Sequence, residues 1–172
     1  MSPAETAQEA AREEERLAEL HRLADPEAVQ SQEVLDLVAE AAAVAGVPMA
    51  TLNLLDRERQ HQCATTGFEG APSPRREAMC DVTLRSGAFV HAADARSDPR
   101  FADSPWVDGR RGDVRFYASA PLVTRRGHTV GTLCVFDTEP HELSAAQVER
   151  LQQLAAQLVE TFERERAGRG PG

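Results

Sequence analysis

Residues 113–137, DVRFYASAPLVTRRGHTVGTLCVFD, constrain the fold more than any other stretch of the chain. Apolar and polar side chains alternate on each side of a turn at 125–127, which is typical of two adjacent β-strands joined by a hairpin connection. The second of these strands is apolar on both faces. We therefore expect it to lie at the centre of a sheet that is covered on two sides.

Three further patterns predict helices. Residues 4–23 are rich in Ala, Glu, Arg and Leu and lack Gly and Pro, and residues 34–45 carry a single apolar stripe. Ser144 and Gln147 form a capping box that begins a long C-terminal helix with a second apolar stripe. The simplest way to bury that second stripe is to pack it against the helix at 4–23.

The remaining segments complete an α+β pattern. Residues 49–56 and 61–68 read as a hairpin, whereas residues 69–77 and 92–112 are rich in turn formers. Long loops inside a compact domain usually carry the function. The order of the elements predicts an antiparallel sheet with helices bundled on one face and loops on the other.

Composition and charge exclude several classes of function. The net charge of −9 and the absence of a basic run argue against nucleic acid as a partner. All 19 positively charged residues are Arg, which excludes lysine-nucleophile chemistry. No stretch approaches the roughly 18 apolar residues of a membrane span, and the acidic start is unlike a signal peptide, so we expect a cytoplasmic protein without membrane contact. The cysteines lack C-x-x-C spacing, so we expect reduced thiols and no metal site.

Three motifs together resemble the GAF-domain family: DPRF at 98–101, RFYASAPL at 115–122 and GTLCVFD at 131–137. The similarity extends over about residues 28–162 and is to the subgroup attached to bacterial diguanylate cyclases, sensor kinases and phosphatases. The resemblance implies a sheet of five or six antiparallel strands, terminal helices on the back and a ligand-sized pocket on the front. It also divides the chain into a partly exposed N-terminal helix at 1–27, a single GAF-like domain at 28–165 and a disordered tail at 166–172.

The resemblance also bears on the ligand and the output. GAF modules sense small molecules or redox state and signal through their terminal helices, often as dimers. The Asn-Lys-Phe-Asp-Glu signature of cyclic-nucleotide-binding members and the Cys-His dipeptide of bilin-binding members are both missing, which disfavours those two ligands and leaves the cofactor unspecified. No output domain follows the match, so we expect the signal to pass to a separate protein.

Candidate pocket residues are polar, aromatic or thiol-bearing side chains in or beside the irregular middle segment: Cys80, Asp94, Arg100, Trp106, Arg115, Phe116 and Tyr117. The favoured interpretation of the charged residues is a clamp in which Asp94 or Asp98 pairs with Arg100 or Arg115 and pins the loop to the sheet. The alternative is that Arg115 and Tyr117 bind an anionic or aromatic ligand.

Two of the remaining candidates, Trp106 and Cys80, also have two interpretations each. Trp106 serves as a lid or as a hydrophobic plug. Cys80 is either a reactive thiol at a helix N-terminus or a buried unreactive one. Cys134 is expected to pack in the core, and Cys63 is expected not to ligate a metal because His-x-Cys supplies too few ligands.

Three functions compete. The leading hypothesis is a stand-alone, non-catalytic sensory module that binds an unidentified small ligand and works as a homodimer. The second is a thiol-dependent free methionine-R-sulfoxide reductase, which is disfavoured because Cys80 and Cys134 lie far apart along the chain. The third is a ligand-free interaction scaffold whose pocket is plugged by Trp106 or Phe116.

Overall fold

The computed structural model describes residues 2–26 and 31–168, which form an α+β domain. The helices are α1 Pro3–Leu23, α2 Gln32–Ala45, α3 Asp81–Ser86 and α4 Ala145–Gly168, and the strands are β1 Met49–Leu55, β2 Arg59–Thr66, β3 Ser73–Pro74, β4 Val90–Ala92, β5 Phe116–Val123 and β6 Thr129–Asp137. The six strands form one antiparallel sheet in the order β3-β2-β1-β6-β5-β4. The predicted fold class, hairpins and central position of β6 are confirmed.

Local side-chain chemistry sets the helix ends. Ser2 and Glu5 form a reciprocal capping box at the start of α1, and Ser144 and Gln147 exchange the same pair of hydrogen bonds before α4. Gly46 ends α2 in a left-handed conformation with φ of 71°, which a residue without a Cβ adopts at no steric cost. These caps place the long helices at defined positions along the back of the sheet.

The helices α1, α2 and α4 cover one face of the sheet, and their apolar stripes form the larger hydrophobic core. The packing of α4 differs from the sequence-based expectation, because α4 lies chiefly against α2 and β5 and touches α1 only lightly. Only the C-terminal half of α1 is buried. It is therefore too short a partner to cover the apolar stripe of α4.

The opposite face, which we call the front, is covered by α3 and by the irregular segment between β4 and β5. These elements and the sheet enclose a second, smaller hydrophobic cluster. At the C-terminus α4 continues through Gly168, past the expected start of the tail at 166. Residues 169–172 of that tail lie outside the described residues. The same is true of residues 27–30, at the expected boundary between the N-terminal helix and the domain. No helix among the described ranges is long and apolar enough to cross a membrane.

Candidate functional site

The front of the sheet contains a cavity of about 210 Å³, which we call the front cavity. It lies between β1, β2, β5 and β6 on one side and the irregular segment with the two residues before α3 on the other. This volume is below the roughly 300–1,000 Å³ usual for ligand pockets, so it suits only a compact metabolite. Its apolar lining side chains are Met49, Phe68, Met79, Val114 and Phe136. Phe68 and Phe136 meet edge to face at 5.1 Å and form one wall.

The floor of the front cavity is polar, and three neighbouring strands supply it. Each strand places two polar side chains at alternate positions, and therefore on the same face: Thr51 and Asn53 in β1, Thr132 and Cys134 in β6, and Tyr117 and Ser119 in β5. Four of them line the cavity, whereas Thr132 and Ser119 lie outside its lining and contact the Cys134 sulfur. The strand register sets Thr51 and Ser119 on either side of Cys134. All six side chains are buried.

Hydrogen bonds join this floor into one network centred on Cys134. Its sulfur lies 3.4 Å from the Tyr117 hydroxyl and 3.1 Å from the Thr132 hydroxyl. It also donates to the Ser119 hydroxyl and accepts from the Asn53 amide, both at 3.4 Å. Buried polar groups are costly unless paired, so this satisfied network is a specific feature of the site.

The second thiol of the cavity belongs to Cys80, the residue immediately before α3. Its Sγ donates to Oε1 of Gln60 at 2.7 Å and interacts with the Cys134 thiol. Burial, and then the hydrogen bond to Cys134, raise the pKa of Cys80 well above its ordinary value. Burial also opposes ionisation of Cys134, but the hydrogen bonds directed at its sulfur outweigh that cost and lower its pKa to about 7.

Trp106 forms part of the roof. The Arg111 guanidinium lies 5.9 Å from the centre of the indole ring and pairs with Glu77 at 2.8 Å. The indole Nε1 is buried and has no hydrogen-bond partner among the described residues. Trp106 leaves the space beneath it open, so the plug interpretation does not fit, and its N–H is available to an acceptor.

The charged candidates form a clamp at the edge of the sheet, as favoured from the sequence. The Arg115 guanidinium donates two hydrogen bonds to the Asp94 carboxylate, at 2.8 and 2.5 Å. Arg100 forms an ion pair with Asp98 at 2.6 Å. Hydrogen bonds from Arg115, and not burial, lower the pKa of Asp94 to about 2. Phe101, next in the DPRF motif, stacks edge to face on Tyr117 at 5.3 Å. The motif thus anchors the irregular segment over the front cavity.

Of the seven candidate residues, Cys80, Trp106 and Tyr117 line the front cavity, whereas the clamp residues Asp94, Arg100 and Arg115 lie outside its lining. Phe116 points to the other face, where it is fully buried in the helix-side core. The assignment of Phe116 to the pocket is therefore wrong, because it neglected that neighbouring strand residues face opposite sides.

Cys134 was expected to pack in the core, and it does: its side chain is about 1% exposed and belongs to the smaller hydrophobic cluster. Its thiol also lines the front cavity, which the sequence did not indicate. The wide spacing of Cys80 and Cys134 along the chain, which disfavoured the reductase, does not separate them in the fold, because both line the front cavity. The sequence does contain a signal for the polar floor of the cavity. Polar residues repeat at alternate positions in three strands that are otherwise apolar. Cys63, by contrast, lies outside the cavity and donates to the carbonyl oxygen of Pro26.

Comparisons with known proteins agree with this geometry. A sequence profile described as "GAF domain" matches residues 28–163. A cyclic di-GMP phosphodiesterase of Pseudomonas aeruginosa is 35% identical over 131 residues, which are 74% of this chain and 22% of that protein. The chain thus spans less than a quarter of the length of this curated relative.

Two solved structures share the fold at low sequence identity. The GAF domain of a phosphoenolpyruvate-protein phosphotransferase from Coxiella burnetii has a TM-score of 0.67 and 16% identity, covering 94% of this chain and 99% of that one. A type II free methionine-R-sulfoxide reductase from Thermoplasma acidophilum has a TM-score of 0.60 and 12% identity, covering 89% of this chain and 96% of that one. At these identities the likeness extends to the fold alone.

Proposed function

Since the chain belongs to the GAF domain family, we propose that it is a sensory or regulatory module whose front cavity binds a small ligand and whose terminal helices pass the signal to a partner protein. The observation that carries this proposal is a cavity with a hydrogen-bonding floor on the side of the sheet opposite the terminal helices. We further propose that the module acts as a homodimer through those helices.

The chemistry of the cavity favours an uncharged ligand with a hydrogen-bond acceptor. The floor offers hydroxyl, amide and thiol groups, and the buried indole N–H of Trp106 lacks an acceptor. The charged lining residues stand at the rim: Arg111 is paired with Glu77, and Asp113 is largely exposed. A buried anionic group of a ligand would therefore find no compensating positive charge in the floor.

A short network of ion pairs, which we call the clasp, connects the segment beside the cavity to α1. It consists of Asp81, Arg75, Glu13 and Arg16. Arg75 donates to Glu13 of α1 at 2.7 Å and to Asp81, next to Cys80, at 3.0 Å. Glu13 also pairs with Arg16, whose guanidinium donates to the carbonyl oxygen of Leu55 at 2.7 Å. Burial would raise the pKa of Glu13, but the two guanidiniums lower it to about 2, so the clasp is fully charged at neutral pH. A shift of α3 on ligand binding would reach α1 through Arg75.

Native mass spectrometry of the protein purified from its own cells is expected to show a mass above that of the denatured chain, from a retained small molecule. Trp106→Phe keeps the ring but removes the N–H, so we expect it to weaken binding of that compound about fivefold in calorimetric titration. Phe89→Leu, a matched change at a half-buried aromatic residue that packs against the helix-side core, should leave affinity unchanged. An apo mass and no binding from a panel of small uncharged metabolites would refute the proposal.

The same compound tests the clasp. Its addition is expected to change amide hydrogen exchange in α1, and Arg75→Gln should abolish that change while affinity stays within twofold of the wild type. Trp106, the sole tryptophan of the chain, reports occupancy by its fluorescence in both proteins. If α1 responds equally in the variant, the signal does not pass through Arg75.

A thiol-dependent reductase of free methionine sulfoxide is the second candidate, and one observation favours it: Cys80 and Cys134 line the same cavity. Attack of the Cys134 thiolate on the sulfoxide sulfur and resolution by Cys80 would convert the sulfoxide and two thiols into a sulfide, a disulfide and water. Arg111 and Asp113 at the rim match the carboxylate and ammonium groups of a free amino acid.

Turnover with a thioredoxin-coupled supply of reducing equivalents tests this candidate. We expect Cys134→Ser to lower kcat at least 100-fold and Cys63→Ser to keep full activity, because Cys63 lies outside the cavity. The reductase function would be eliminated if NADPH is consumed no faster with the protein than without it, for both epimers of the sulfoxide.

A further inference from the structure

The front cavity holds two thiols from elements that are distant in sequence, and they differ in ease of ionisation. Cys134 belongs to the central strand β6, and Cys80 caps the short helix α3 that covers it. Both side chains are buried, at about 1% exposure, and they interact with one another as well as with the cavity lining. Both thiols thus belong to the smaller hydrophobic cluster and also border a cavity of about 210 Å³ that a small molecule can enter.

The surroundings of the two sulfurs assign them different chemical roles. Hydroxyl and amide groups surround Cys134 and stabilise its thiolate, the form that acts as a nucleophile. Cys80 stays protonated and donates to the Gln60 side chain, so it is not ionised at neutral pH. The candidate nucleophile and the candidate resolving thiol therefore line the same cavity.

We propose that Cys80 and Cys134 are a redox modification site, which a small hydroperoxide converts into an intramolecular disulfide. The Cys134 thiolate attacks the peroxide oxygen, the O–O bond breaks, and an alcohol or water leaves with the accompanying proton. The Cys80 sulfur then displaces hydroxide from the Cys134 sulfenic acid, which leaves as water with the Cys80 proton. Two thiols lose two electrons and the hydroperoxide gains them, and low-molecular-weight thiols reverse the change.

The disulfide has a structural consequence at the ligand site. It joins the residue that begins α3 to the floor of the cavity, and it removes the thiol contacts to Gln60 and Asn53. The oxidised cavity is smaller and loses two hydrogen-bonding groups. This consequence rests on the proposed ligand function: oxidation then lowers the affinity of the cavity for its ligand, and the redox state of the two thiols controls ligand binding. Formation of the disulfide itself does not depend on that function.

The experiment treats the full chain with one equivalent of hydrogen peroxide, blocks free thiols after unfolding, and analyses the peptides by non-reducing mass spectrometry. We expect a peptide pair that contains Cys80 and Cys134, a mass lower by two hydrogen atoms, and full reversal by dithiothreitol. Cys63→Ser is the matched control and should give the same result, because burial raises the pKa of Cys63 to about 12 and keeps it inert.

Single variants separate this proposal from its alternatives. Cys80→Ser should stop the reaction at a Cys134 sulfenic acid that dimedone traps, and Cys134→Ser should abolish peroxide consumption by the cavity. Recovery of both cavity thiols unmodified, or a disulfide that involves Cys63 or a second chain, would overturn the proposal. A disulfide without sulfoxide turnover eliminates the reductase alone, and a disulfide without any bound compound eliminates the ligand function alone.

Discussion

Replacement of Gly131 by alanine is expected to lower the free energy of unfolding by about 3 kcal/mol. Gly131 lies in β6, between β1 and β5, and pairs with Leu54 on one side and Leu122 on the other. A Cβ at this position would lie 2.1 Å from the backbone oxygen of Asn53. Because that oxygen belongs to the adjacent central strand, the conflict cannot be relieved by a side-chain rotation. Urea unfolding followed by circular dichroism measures the loss.

Gly127→Ala is the matched control in the same hairpin. Gly127 has a φ of 85°, but a Cβ would meet nothing within 4 Å. Only the left-handed backbone then opposes the substitution, at a cost of about 1 kcal/mol. Losses of equal size in the two variants would show that β1 moves aside for the added Cβ, and that the close approach of the strands is not what requires glycine at 131.

The fold was predictable because its signals are local. Alternation along 113–137, the apolar stripe of α2 and the capping box at Ser144 each act within one element, and the structure places all three as expected. The packing partner of α4 was not predictable from the sequence. An apolar stripe shows that one face of a helix is buried, but it does not show which neighbouring element buries that face. That choice depends on how much of each helix reaches the sheet.

The candidate site was predictable only in part, because it depends on contacts between distant segments. The clamp of Asp94 and Arg115 was found because opposite charges near a loop and a strand leave few other pairings. The meeting of Cys80 with Cys134 was not found, because no single-strand pattern fixes where α3 crosses the sheet. The alternating polar residues were visible, but they were read as part of an apolar core.

Arg22→Ala is expected to lower the free energy of unfolding by about 2–3 kcal/mol, because it removes the main partner of a buried carboxylate. The Arg22 guanidinium donates to Glu19 of α1 at 2.8 Å and to Glu163 of α4 at 2.9 Å. The side chain of Glu19 is only 2% exposed, and its remaining cation, Arg126, is 3.7 Å away. Chemical unfolding gives the magnitude, and hydrogen exchange of α1 shows where the stability is lost.

Two further variants identify the cause. If the cost comes from an unpaired buried charge, Glu19→Gln added to Arg22→Ala should restore much of the stability. Arg125→Ala removes an ion pair with Glu160 between exposed side chains and should leave the unfolding midpoint unchanged. Failure of the double variant to recover would mean that Arg22 acts through its packing instead. Recovery of the double variant would instead show that the contact between α1 and α4 at Arg22 is electrostatic, since the guanidinium joins Glu19 of one helix to Glu163 of the other.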